Sequence, residues 1–122
     1  MIYAGVEGPS EHQRSVFRGF LAAFPRIEAE IEHRLWEDYQ GWQRFVAEDT
    51  GMPWTEVEGF PDLSSSADAY GSTTYQMIEI FGDPQRSTRG CDIHIALNVP
   101  WDGEHGRAVH VLDGAVTDLF PE

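Results

Sequence analysis

The chain has 122 residues, with 21 Asp plus Glu against eight Arg and no Lys, a formal net charge of −13, and a 41% hydrophobic content that includes four Trp and seven Phe. Such a length suits one domain around one core, in which about two thirds of the unfolded surface is buried. The negative field repels phosphate backbones and anionic lipid, which sets aside nucleic-acid and membrane binding, and no apolar run approaches the roughly 20 residues of a membrane span.

The start "MIYAGVEGPS" has neither the basic nor the long apolar segment of a signal peptide, so a cytosolic location is expected. Ser10 and Gln13 have the spacing of a capping box, with Pro9 as an entry residue, and predict a helix over about 11–23. Phe17, Phe20, Leu21 and Phe24 form its apolar stripe. Pro25 disfavours helical geometry at Phe24 and suits the first turn of a new helix, which is predicted over about 25–47. Ile27, Ile31, Leu35, Tyr39, Trp42 and Phe45 line its inner face, with Glu28, Glu30, Glu32, Glu37 and Asp38 outside. His12 and His33 fall on polar helix faces and read as solvated.

Residues 48–74 lose this period and fill with Gly, Pro, Ser and Asp, the composition of a long loop pinned to the core by Trp54 and Phe60. A strand is predicted over about 75–81, followed by a polar turn at 82–90. "CDIHIALNV", 91–99, alternates cleanly, with Ile93, Ile95, Leu97 and Val99 opposite Asp92, His94, Ala96 and Asn98. Strands at about 107–112 and 115–119 follow, joined by a two-residue turn at Asp113-Gly114. The expected fold is α+β: two N-terminal helices packed on one face of an antiparallel sheet of about four strands, in one domain over 1–122.

The richest stretch chemically is "NVPWDGEHGRAVHVLDG", 98–114. Asp102, Glu104 and His105 have the chemistry for acid–base catalysis. His94, His105 and His110 have the chemistry for a metal ion, since His94 and His110 share the polar sheet face with Asp92 nearby. The alternative is structural: Trp101 plugs the end of the core while Asp102, Glu104, His105 and Gly106 hold the turn by bonding its backbone. No Walker A, HExxH, GxGxxG, CxxC or GxSxG motif occurs, so no cofactor is called for. The lone Cys91 excludes an internal disulfide and reads as a buried thiol rather than a nucleophile.

"WDGEHGRAVHVLDGAV", 101–116, resembles the W-D-x-E-H-G hairpin of a bacterial domain family of unknown function, and "DIHIALNVP" fits the strand that enters it. "VEGPSEHQRSVFRGFLAAFPRIEAEIEHRLWEDYQ", 6–40, is similar to that family's N-terminal helical part. Two departures stand out: Arg107 occupies a position that is usually aliphatic, and the N-terminal strands are shortened to "MIYAGV". The resemblance implies an α+β fold and, for members suspected of being immunity proteins, the neutralising of a toxin. Charge points the same way, to a module that binds a basic protein through Glu28, Glu30, Glu37, Asp38, Asp62 and Asp68. The competing reading is a metal-assisted hydrolase built around the 101–106 loop.

Overall fold

The computed structural model describes residues 2, 3, 10–82 and 90–122, with residues 2, 3 and 54 described by their backbone alone. The turn expected at 82–90 and the anchoring role expected of Trp54 therefore lie outside the described residues. The elements run β1 (Ile2–Tyr3), α1 (Glu11–Thr50), a 3-10 turn (Trp54–Glu56), α2 (Ser66–Gly71), β2 (Thr74–Ile80), β3 (Ile93–Asn98), β4 (Arg107–Leu112) and β5 (Ala115–Pro121). They make an α+β fold in which the described residues form a five-stranded sheet in the order β1-β2-β3-β4-β5. β2 to β5 pair antiparallel with their chain neighbours, and the short β1 joins β2 in parallel.

Where two helices are expected, there is one: α1 continues unbroken through Pro25 for 40 residues. It starts at a capping box in which the Ser10 hydroxyl accepts from the Gln13 N–H and the Gln13 side chain accepts from the Ser10 N–H. Its end lies at Thr50 rather than near Ala47, closed by Gly51 in the left-handed region at φ 69° with its N–H on the Ala47 carbonyl. Pro25 deprives the Leu21 carbonyl of its helical donor, but Pro25 and Leu21 are both exposed, so the carbonyl is not left desolvated. Phe20 and Ile27, on either side of that point, are both buried against the sheet, so packing holds together a helix that local preference alone interrupts.

The inner sheet face is built by alternation. Ile93, Ile95, Leu97, Val109 and Val111 are all buried against Phe20, Ile27, Ile31, Leu35 and Tyr39 of α1. In β2 a register shift between Tyr75 and Met77 explains why its apolar residues alternate imperfectly. Asp113 and Gly114 both take positive φ, 51° and 77°, as a two-residue hairpin turn between β4 and β5 requires. The stretch expected as one long loop holds the 3-10 turn and α2, the latter capped by the Ser65 hydroxyl on the Asp68 N–H. Tyr39 fastens this segment: its hydroxyl donates to the Pro61 carbonyl at 2.7 Å and accepts the Leu63 N–H at 2.9 Å, while its ring stacks on Phe60.

Replacing Pro25 with Ala restores a donor for the Leu21 carbonyl without touching the buried face. The variant is expected to be more stable by about 1–3 kcal/mol, read as a higher urea midpoint with an unchanged slope. A lower midpoint would show that the chain needs the backbone shape proline imposes there.

Candidate functional site

Position 107 is in phase with Val109 and Val111, so the strand turns Arg107 toward the helix, and its side chain is 0% exposed. Two carboxylates meet it. Arg107 Nε donates to Asp38 Oδ2 at 2.9 Å, and Nη1 donates to Asp102 Oδ2 at 2.9 Å and to the carbonyls of His105 and Gly106 at 3.2 and 3.1 Å. The same Asp38 oxygen accepts from Trp101 Nε1 at 2.7 Å. Asp38 was expected on the outer helix face; instead it lies at the edge of the buried stripe, next to Tyr39, and its side chain is 21% exposed.

The loop closes around this ion cluster. Asp102 Oδ1 accepts the backbone N–H groups of Glu104 and His105 at 3.2 and 3.1 Å. Burial pushes the Asp102 carboxyl up, but hydrogen bonds from Arg107, His105 and Glu104, together with the Arg107 charge, outweigh it and hold the group below its ordinary range. Gly106 is required by close approach, because a Cβ there would stand 2.6 Å from the Leu97 carbonyl oxygen. His105 Nδ1 lies 3.0 Å from the Glu122 carbonyl, and the Glu122 N–H donates to the Gly106 carbonyl at 3.0 Å. The Trp101 ring, 4% exposed, meets Tyr39 edge to face.

On the opposite sheet face the register puts His94 directly across from His110, with Glu79 beyond His94 and Asp118 beyond His110. The imidazoles touch, Nδ1 of His94 lying 3.1 Å from Nε2 of His110, and the His110 ring meets Phe120 edge to face. Glu122 Oε1 is 3.9 Å from His94 Nε2. His105 does not complete a ligand set with this pair: among the described residues no group of three or more His, Cys, Asp or Glu is arranged to hold a metal ion. Asp92 is buried at the end of β3 and accepts the Asp113 N–H, and Cys91 is a buried free thiol.

The remaining acidic candidates divide by surroundings. Glu28 accepts from the Tyr70 hydroxyl at 2.7 Å, and burial, the Tyr75 hydroxyl and Glu28 itself push the Tyr70 phenol well above its ordinary value. Asp68 accepts from the Ser64 hydroxyl and N–H, which lower its carboxyl. Glu30 pairs with Arg34 and Glu37 with His33 along the helix surface, at 2.8 and 3.0 Å, while Asp62 is exposed. His12 is half-buried rather than solvated. Sequence reasoning missed Arg107 and Tyr39 as organisers; for Arg107 the signal was its phase with Val109 and Val111.

The chain matches a family model described as "Domain of unknown function (DUF6985)" over residues 2–121, and it belongs to that family. No curated protein and no solved structure matches it. Among the described residues, no helix is long and apolar enough to cross a membrane.

Arg107→Met leaves two poorly solvated carboxylates facing each other without their cation, and is expected to cost about 3–5 kcal/mol of unfolding free energy. Asp102→Asn gives a sharper test. The folded state holds this carboxyl below its unfolded value of about 3.9, so its stabilisation is fully present above that pH and is lost as pH falls through the folded-state value. The stability gap between wild type and Asp102→Asn, measured by urea unfolding, is expected to hold steady from about pH 7 to 5 and to shrink below about pH 4. A gap independent of pH would contradict the assignment.

Proposed function

We propose that this member of the DUF6985 family is an acidic protein-binding module that docks a basic partner, with the inhibition of a toxin, as an immunity protein, its role. One observation carries the reading: negative charge is concentrated in one stretch of the chain. Eleven of the 21 acidic residues but only two of the eight arginines lie between Glu28 and Gly71, so this stretch holds nine of the thirteen net negative charges. It consists of the C-terminal half of α1 with the 3-10 turn and α2, which the Tyr39 and Tyr70 hydroxyls tie together.

A field of that kind speeds encounter with a positively charged surface and repels acidic competitors. Glu30, Glu37 and Asp62 provide it directly from the surface, whereas Asp38 is engaged with Arg107 and acts through its position. The Glu30–Arg34 ion pair and the Glu37–His33 contact are solvent-facing and weak, so a partner's cations replace them at little cost. The hairpin groups proposed for catalysis are largely occupied by the chain itself: both Asp102 oxygens accept internal bonds and His105 Nδ1 faces the Glu122 carbonyl. Binding therefore fits the available groups better than hydrolysis does.

The test is a quantitative pull-down from the native host, with wild type and the double reversal Glu30→Lys/Glu37→Lys as baits. A basic protein is expected to be retained by wild type at low salt, released as salt screens the charges, and bound at least about tenfold more weakly by the double variant. A partner bound equally by both baits and unaffected by salt would overturn the reading.

A further inference from the structure

We infer that a groove on the last turns of α1 seats an arginine side chain of the basic partner; the inference rests on the binding role proposed above and gives it an anchor point. The groove, about 460 Å³, is lined by Glu37, Asp38, Gly41, Trp42 and Phe45. Phe45 is 55% exposed, an unusual fraction for a large apolar ring, and meets the half-buried Trp42 edge to face at 5.4 Å. Apolar surface and two carboxylates of the acidic stretch coincide here.

The floor is Gly41. Glycine inside a helix is less favourable than alanine, and close packing usually explains it, yet a Cβ at this position would meet nothing within 4 Å. The missing side chain leaves a notch beside the Trp42 ring that no described residue fills. Carboxylates stand at its margin. Glu37 is exposed, and Asp38 directs Oδ2 at Trp101 and Arg107, leaving Oδ1 outside both bonds.

An indole face next to carboxylates is the environment that a guanidinium recognises: the flat cation stacks on the ring and its N–H groups fork onto the oxygens. A second copy of this chain is a poor occupant, because it would bring its own charge of −13 against the same acidic margin. An uncharged apolar segment would desolvate the exposed Glu37 carboxylate and offer it no counter-charge. A basic protein offering an arginine satisfies both halves of the groove.

The probe is the capped peptide acetyl-Arg-Gly-Arg-amide, titrated into the ¹⁵N-labelled protein at low salt beside its citrulline counterpart, which keeps the shape and removes the charge. The Trp42 indole N–H and the Gly41 amide are expected to shift saturably with the arginine peptide and not with the citrulline peptide. Gly41→Leu fills the notch while improving helix propensity, and Phe45→Ala removes an exposed ring, so neither threatens the fold. Each is expected to weaken the arginine response at least about tenfold while the Trp101 indole signal, held by Asp38, stays in place. Shifts confined to the amides around Glu30 and Asp62, with Trp42 silent, would overturn the groove and leave the acidic docking surface standing. Absence of any saturable shift would overturn the groove alone, since the binding role is decided separately by the pull-down with the double variant.

Discussion

A guanidinium with no exposure to water organises this protein. Arg107 sits on the inner face of the sheet among Leu97, Val109 and Val111, and burying an isolated charge there would be prohibitive. Asp38 from the helix and Asp102 from the loop offset that cost, each with an oxygen 2.9 Å from the guanidinium. One cation between two anions leaves a residual negative charge, and the Trp101 indole and the N–H groups of Glu104 and His105 absorb it. The cluster fixes three things together: the rotation of α1 over the sheet, the path of the loop 99–106, and the seat of Trp101 against Tyr39. Arg107 is satisfied at Nε and Nη1 while its buried Nη2 has no hydrogen-bond partner among the described residues, so losing any of the remaining bonds would add to a cost already present, and the loop has little freedom to take another shape.

A second constraint is length. A 40-residue helix spans about 60 Å, whereas strands of six or seven residues span about 20 Å, so α1 overhangs the sheet it packs on. The fully buried positions of α1 stop at Tyr39, and the eleven residues beyond it reach about 16 Å further. Part of that overhang is covered by the segment that Tyr39 holds, with Phe60 stacked on its ring. Among the described residues nothing covers the rest, and Phe45 stays exposed although it continues the same apolar stripe as Ile27, Ile31 and Leu35.

The legible parts of the sequence were those set by short-range chemistry. The Ser10–Gln13 capping box, the alternation of Ile93, Ile95 and Leu97, and the Asp113-Gly114 turn each depend on residues within a few positions of one another. What failed to show depended on distant partners. Pro25 breaks a helix by local preference, and only burial of Phe20 and Ile27 against strands some 60 or more residues away overrides it. Asp38 looked like one more surface carboxylate because its partner, Arg107, lies 69 residues further along the chain. The His94–His110 contact was legible as a shared face, since an antiparallel turn at 100–106 forces one, but the distance between the rings needed the register itself.

These two constraints assign different work to the two acidic regions. In the hairpin, the carboxylate of Asp102 is turned inward and its proton affinity is lowered by neighbours that the fold itself supplies, so its chemistry is directed at stability. On the outer surface of α1, Glu30 and Glu37 have solvent-facing neighbours, Arg34 and His33, which a competing cation displaces readily. A carboxylate contributes to recognition in proportion to how little of its charge is already answered. By that measure the groups best placed to meet a partner are those that the sheet leaves uncovered, at the end of α1 where Trp42 and Phe45 add the apolar contact that charge alone lacks.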